Sequence, residues 1–474
     1  MLFSSNAFLL LFLPVVLILY YLFFFSRTVQ NILLLAASLV FYAWGEPRLV
    51  AVLIGSVLVN TLLGLVIDKS RGQGARRAWM LAAVILNLGT LIALKQLGEL
   101  WEQVGLNEYF LLNLPRPIGI AFFTLQAVSY VTDVYRGEVK AGGVLRVGLH
   151  IAFFPKLLAG PLMSYSEMEA DLRDRRLSFD RLSLGFCRFT VGLAKKVLLA
   201  ECFAAIADQV FNWTRIGADV MAVPASLAWL GSIAFSLQIY FDFSAYTDMA
   251  IGLGLCFGFK LPENLNYPYA AASLTDFWKR WHITLTDWFR RYVYFPLGGS
   301  RVENRDVMVR NRLILWLLIG LWHGAEWTCL FWALAYFALL LAESFTGFPE
   351  KLPGRFLKHL YTLLVVNLLW VVFRSESLFQ AGRYFLNMFA LSNNGVGSDL
   401  TLMFLRENWL QLLLGVLFCT PVARKLNEKM YRRPEGRLSS ISTVLYPLYM
   451  LALLILCVCV MSDIPCKPFF FYDF

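Results

Sequence analysis

Apolar runs long enough to cross a bilayer as helices recur from one end of the chain to the other, and they leave few folds open. They cover 7–25, 30–44, 48–67, 78–96 and 118–135, then 184–211, 223–257, 312–343, 358–373, 404–423 and 441–461. A transmembrane helix needs about 20 predominantly apolar residues, whereas a barrel strand shows about ten of alternating polarity, and the runs here do not alternate. The expected fold class is therefore all-α: a polytopic integral membrane protein with about ten or more transmembrane helices. Composition agrees, with 59% hydrophobic and only 16% charged residues in 474, far from the balance of a soluble domain. The chain reads as one membrane domain, with N-terminal helices over 1–137, a core with re-entrant segments over 149–344, and C-terminal helices over 358–474.

Charge sets the expected topology, because short basic loops stay cytoplasmic. The run from Phe8 to Phe25 is preceded by no basic residue and followed by Arg27. It reads as an uncleaved first helix with its N-terminus outside. Lys69, Arg71, Arg76 and Arg77 place the third linker inside, and 99–115, with three glutamates and no Lys or Arg, falls outside. Segments 136–146, 260–312 and 424–437 are again basic. For 424–437 to be cytoplasmic, 312–343 must enter and return as a hairpin that turns at His323–Gly324–Ala325. The net charge of +10 thus reports topology, and no soluble basic domain is present to grip nucleic acid.

Two segments depart from simple spans. Residues 149–164 are apolar but interrupted by Pro155 and Gly160–Pro161, which reads as a broken or re-entrant helix lining an internal cavity. Around 276–292, Trp278, Trp281, Trp288 and Tyr292 interleave with Lys279, Arg280, Arg290 and Arg291, the pattern of helices lying along the interface. The eight cysteines sit mostly in apolar runs without CxxC spacing and read as small hydrophobes, not as a zinc site or disulfide framework.

Candidate chemistry follows from ionisable groups placed where the bilayer makes them costly. His323 lies between two long apolar runs, with Glu326 three residues on; a packed histidine satisfied by a backbone carbonyl is the competing reading. His282 is the second candidate. Helical spacing would put it on one face with Trp278 and Thr286, and an interfacial histidine bonded to water is its alternative. Asp242 and Asp248 fall on different faces of the 223–257 run, so they do not form a dyad. No nucleophile elbow, phosphate loop, HExxH or dinucleotide fingerprint occurs.

Seven segments in order carry a resemblance: 117–137 (PIGIAFFTLQAVSYVTDVYRG), 154–161 (FPKLLAGP), 237–254 (LQIYFDFSAYTDMAIGLG), 262–269 (PENLNYPY), 277–299 (FWKRWHITLTDWFRRYVYFPLGG), 321–328 (LWHGAEWT) and 468–474 (PFFFYDF). Together they resemble the membrane-bound O-acyltransferase family, and within it the bacterial branch that O-acetylates alginate and other surface polysaccharides. The resemblance implies a helical fold around a central funnel, with His323 and His282 as the catalytic pair. The family often carries a further histidine about a dozen residues after the first; Tyr336 stands in that neighbourhood here, so no third catalytic histidine is expected. Acetyl-CoA is the implied donor, with no tightly bound cofactor. Asp242, Trp278, Lys279, Arg280, Arg290, Arg291 and Trp322 form the expected donor- and substrate-binding set, the cations being suited to phosphates, although positive-inside bias predicts the same charges without a ligand. Further implications are membrane lipids as surroundings, a polysaccharide acceptor, an SGNH-type transferase partner outside, and the bacterial inner membrane as location. Acyltransfer to peptidoglycan, teichoic acid or lipid is the alternative. A proton-coupled transporter is the other class, although its expected internal repeat is absent.

Overall fold

The computed structural model describes residues 1–97, 117–214, 223–299, 304–422, 437–463 and 466–470, with no description of the side chains of 437–444. The glutamate-bearing segment 99–115, the basic stretch 424–436, Arg301 and 471–474 lie outside the described residues.

Helix α1 (Phe8–Leu22) begins with a π-helical turn and is followed by α2 (Arg27–Gly45). Ser26 starts α2 because its side chain accepts from the Val29 N–H, satisfying one of the donors every helix start leaves open. Next come α3 (Val50–Lys69) and α4 (Gln73–Gln96), whose last turn, Ile92–Gln96, is π-helical. Helix α5 (Ile120–Arg136) is bracketed by Gly119 and Gly137, both left-handed at φ 76° and 74°, a conformation glycine adopts without a Cβ penalty. Residues 120–134 of α5 are buried, so this helix belongs to the interior.

The interrupted segment is broken as its prolines require. Helix α6 (Val144–Ala152) stops at Phe153, α7 (Phe154–Leu157) lasts one turn with Pro155 at its start, and 158–163 is buried without helical structure. A capping box between Ser164 and Glu167 opens α8 (Tyr165–Arg173). Helices α9 (Phe179–Ala194) and α10 (Glu201–Trp213) run through a π-turn over Lys195–Ala200 and pack on α11 (Ala225–Cys256). Small residues make the α9–α11 crossing possible: a Cβ on Gly252 would meet the Gly185 carbonyl at 2.6 Å, and one on Gly192 the Ala245 carbonyl at 2.8 Å. Close backbone approach is how helices associate where lipid removes the hydrophobic drive between them.

The interfacial segment forms α12 (Leu274–Arg280) and α13 (Ile283–Phe289), followed by α14 (Arg305–His323) and α15 (Trp327–Thr346). The last two pack as the hairpin that loop charge demanded, with their turn at Gly324–Glu326. Then come α16 (Gly354–Arg374), α17 (Leu378–Met388), α18 (Asp399–Glu407), α19 (Trp409–Phe418) and α20 (Arg437–Asp463).

Six described helices are long and apolar enough to cross a membrane: α2, α3, α4, α15, α16 and the Leu445–Asp463 part of α20. The bent pair α18–α19 makes a seventh if counted as one span. The protein is a multi-pass helical membrane protein, and the described residues do not confirm the expected count of ten or more. Two of the apolar runs, 118–135 and 223–257, form α5 and α11, whose side chains are mostly buried; an apolar run reports burial without saying whether lipid or protein buries it.

Three of the basic segments, 69–77, 136–146 and 260–312, meet on one side. Arg76 donates to the Val134 and Tyr135 carbonyls, and Arg136 to that of Arg291. Gly45–Glu46, Ile118 and Pro468 gather at the other ends of their helices, where they line a cavity of about 310 Å³ with Tyr42 and Trp44.

Candidate active site

His282 is the joint between α12 and α13, and its backbone is left-handed at φ 47°, ψ 51°. The helical face expected to hold Trp278, His282 and Thr286 is therefore broken at Trp281, where α12 ends. What replaces it is a loop clasp from the 262–269 segment. Asn264 Oδ1 receives the Thr284 N–H at 3.1 Å and the Thr284 hydroxyl at 2.8 Å, and its own carbonyl receives the Ile283 N–H at 2.9 Å. Since a backbone N–H only donates, the Asn264 atom there is its oxygen, and His282 Nδ1, 3.3 Å from the same atom, must be protonated. The lone pair is left on Nε2, which is buried and bonds none of the described residues.

His323 is the final residue of α14. Its ring packs edge-on against Trp322 at 4.8 Å, Trp332 at 5.3 Å and Phe373 at 5.4 Å between centroids. Trp322 packs against both histidines: its centroid is 6.1 Å from that of His282, and its Nε1 donates to the Ala121 carbonyl at 3.2 Å. Phe243 at 4.7 Å and Phe122 at 6.5 Å close the other sides of His282. Trp278 belongs to the same aromatic mass through Trp332 at 5.8 Å and Tyr336 at 5.1 Å. Tyr336 is fully buried, and its hydroxyl bonds none of the described residues.

The structure thus brings His282, His323, Trp322 and Trp278 together, and it puts the other predicted residues elsewhere. Asp242 is buried against Lys196 Nζ at 2.7 Å and accepts the Phe470 N–H at 2.5 Å, so its carboxylate holds the 466–470 segment. Asp248 pairs with Lys195 and Arg188, the separation of the two acids that their helical phase implied. Asn264, Thr284, Phe122, Phe243, Trp332 and Phe373 were not singled out from sequence. Asn264 lay inside a quoted motif, but no periodicity marks it as the partner of a residue 18 positions away.

A second cavity, of about 100 Å³, lies beside this centre on the side of Arg136 and Arg291, with Thr284, Trp288, Tyr292, Glu167, Asp287 and Arg291 in its wall. Thr284 is the link, since the hydroxyl that holds Asn264 is on a residue lining the cavity.

Residues 39–379 match the sequence profile of the membrane-bound O-acyltransferase family. The chain belongs to that family.

Among relatives of this acyltransferase, the probable alginate O-acetylase AlgI of Pseudomonas aeruginosa is 39% identical over 403 residues, 82% of this chain and 75% of its own. The peptidoglycan O-acetyltransferase of Helicobacter pylori is 33% identical over 84% of this chain and 81% of its own. The teichoic acid D-alanyltransferase of Bacillus subtilis is 26% identical over 49% and 60%. The membrane O-acyltransferase holds most of its predicted donor-site cations in ion pairs. Arg280 donates to Asp276 at 2.8 Å, Arg290 lies 3.4 Å from Asp287, and Arg291 contacts Glu138 and lies 3.7 Å from Asp133. Lys279 is exposed and forms no ion pair with the described residues. Arg291 alone of the four lines the second cavity. Among the described residues no group of three or more His, Cys, Asp or Glu is arranged to hold a metal ion.

Proposed function

We propose that this membrane O-acyltransferase takes acetyl from cytoplasmic acetyl-CoA and passes it across the membrane for O-acetylation of an alginate-like surface polysaccharide, with His323 and His282 at the transfer centre. One observation carries the reading: two imidazoles pack against Trp322 in the interior, and His282 is tied through Asn264 and Thr284 to a cavity on the basic side. The basic side is cytoplasmic by the positive-inside rule, where acetyl-CoA is available, and the larger cavity at the opposite helix ends faces outward.

In this reading the acceptor oxygen attacks the acetyl carbonyl, the carbon–sulfur bond breaks, and the hydroxyl proton leaves with the thiol. His323 draws that proton off the acceptor and passes it to the leaving thiolate; His282 Nε2, its lone pair set by Asn264, accepts a hydrogen bond from a second hydroxyl of the acceptor and aims the attacking one. Aromatic walls exclude water, so the thioester is kept from hydrolysis. Lys279, Arg290 and Arg291 offer cations to the donor's phosphates, the last two by exchanging their carboxylate partners. Trp278 and Trp322 line the acyl position, and Asp242 contributes indirectly by holding the 466–470 segment near Phe373. An SGNH-type transferase outside the bacterial inner membrane completes delivery to the glycan.

Purified protein incubated with radiolabelled acetyl-CoA, with and without candidate partners and acceptors, tests this. CoA release that requires His323 is the expected result. Label that reaches peptidoglycan or teichoic acid and not an alginate-like polymer would change the acceptor. A folded His323→Ala protein with undiminished transfer would refute the assignment of the site.

A further inference from the structure

The helix that ends on His323 is held from behind by two consecutive side chains of another helix. A last helical turn leaves carbonyls with no partner within the helix, and α14 has such a turn at Leu321–His323. Gln96 Nε2 donates to the Leu321 carbonyl at 2.6 Å, and Lys95 Nζ donates to those of Trp322 at 2.9 Å and His323 at 3.0 Å. Both donors lie in the π-helical turn that closes α4. A π-turn shifts side chains from ordinary helical phase and often marks functional positions, and here neighbouring residues reach one helix end. A lysine at the end of a membrane helix ordinarily snorkels towards water. Lys95 is only 3% exposed and is turned inward instead. Its ammonium also sits at the negative end of the α14 dipole, where a cation is favoured.

From this geometry we infer that Lys95 and Gln96 are positioning residues that fix where the His323 ring stands. The inference rests on the reading of His323 as part of the transfer centre. Trp322 is pinned from the α5 side through Ala121, so the turn is gripped from two directions. Releasing one grip leaves the α14–α15 turn attached but lets the imidazole wander.

The test uses the full-length protein in nanodiscs. Lys95→Met is expected to lower kcat for acetyl-CoA turnover about 100-fold, the scale of roughly 1 Å of misplacement, while KM for acetyl-CoA stays within about twofold. Lys95→Arg, which still donates to both carbonyls, restores most of the loss, and Gln96→Leu shows the same pattern more weakly. Diethylpyrocarbonate modification of His323, followed by mass spectrometry, reads ring placement without catalysis; its rate is expected to change in Lys95→Met and return in Lys95→Arg. Unchanged kcat and unchanged modification rate in Lys95→Met overturn the inference, as does a loss that Arg does not rescue. Should Lys95→Met fail to fold, Gln96→Leu decides by the same two readouts. If His323→Ala transfers acetyl normally, the reading of the site fails, and the modification rates still decide the positioning.

Discussion

His282 occupies a left-handed backbone conformation that costs a non-glycine residue of order 1–3 kcal/mol and persists only where its surroundings impose it. Asn264 does the imposing, since it bonds the main-chain N–H groups of Ile283 and Thr284, the two residues that follow the joint, and the imidazole itself. Replacing Asn264 by Leu is expected to cut acetyl-CoA turnover about 100-fold through ring misplacement. Asn264→Asp, which keeps the acceptor oxygen, loses less. Steady-state rates of the two purified variants check this, and a Leu variant as active as the parent would remove Asn264 from the mechanism. Both histidines were legible in the sequence because an ionisable side chain among apolar and aromatic residues stands out. Asn264, Lys95 and Gln96 were not, because each acts through long-range hydrogen bonds, and such bonds leave no trace in local spacing.

At the scale of elements, α12 is too short to stand alone, as isolated helices under about 12 residues are marginal in water. Its start is held by Ser273, whose side chain accepts the Asp276 N–H, and by Glu343 at the end of α15. The Glu343 carboxylate accepts the Leu274 N–H at 2.8 Å, the Thr275 N–H at 3.0 Å and the Thr275 hydroxyl at 2.7 Å. Glu343→Ala strips a buried helix start of its acceptors, at about 1–3 kcal/mol for each unsatisfied group, and loosens the element that carries Trp278 into the site. The expected outcome is a lower heat-inactivation temperature together with reduced turnover; heating detergent-solubilised protein before size exclusion and assay measures both. In sequence Glu343 simply marked the end of an apolar run. The breaks at Pro155 and at Gly324–Glu326 were readable, since proline geometry and loop charge act locally.

For the whole molecule, two cavities lie towards opposite helix ends. Arg76, Arg136 and Arg291 share one side with the smaller cavity, and Trp44, Glu46 and Pro468 share the other with the larger. Single cysteines introduced at Gly72 and at Glu46, in a background without the native cysteines, are expected to label oppositely with a membrane-impermeant maleimide: Glu46→Cys reacts in intact spheroplasts, and Gly72→Cys only after permeabilisation. Labelling of both from one side would overturn the orientation on which donor and acceptor sides are assigned.

Hydropathy and charge alone settled that this chain is an all-helical, multi-pass membrane protein, and seven ordered motifs pointed to its family. Those properties are sums over many residues or short contiguous words, which a linear text preserves. How many apolar runs meet lipid, which carboxylates are already paired, and which side chains hold the two imidazoles were decided only by tertiary packing. Each depends on partners tens to hundreds of positions apart, as Asp242 with Phe470 and Lys95 with His323 show, and only the folded chain brings them within bonding distance.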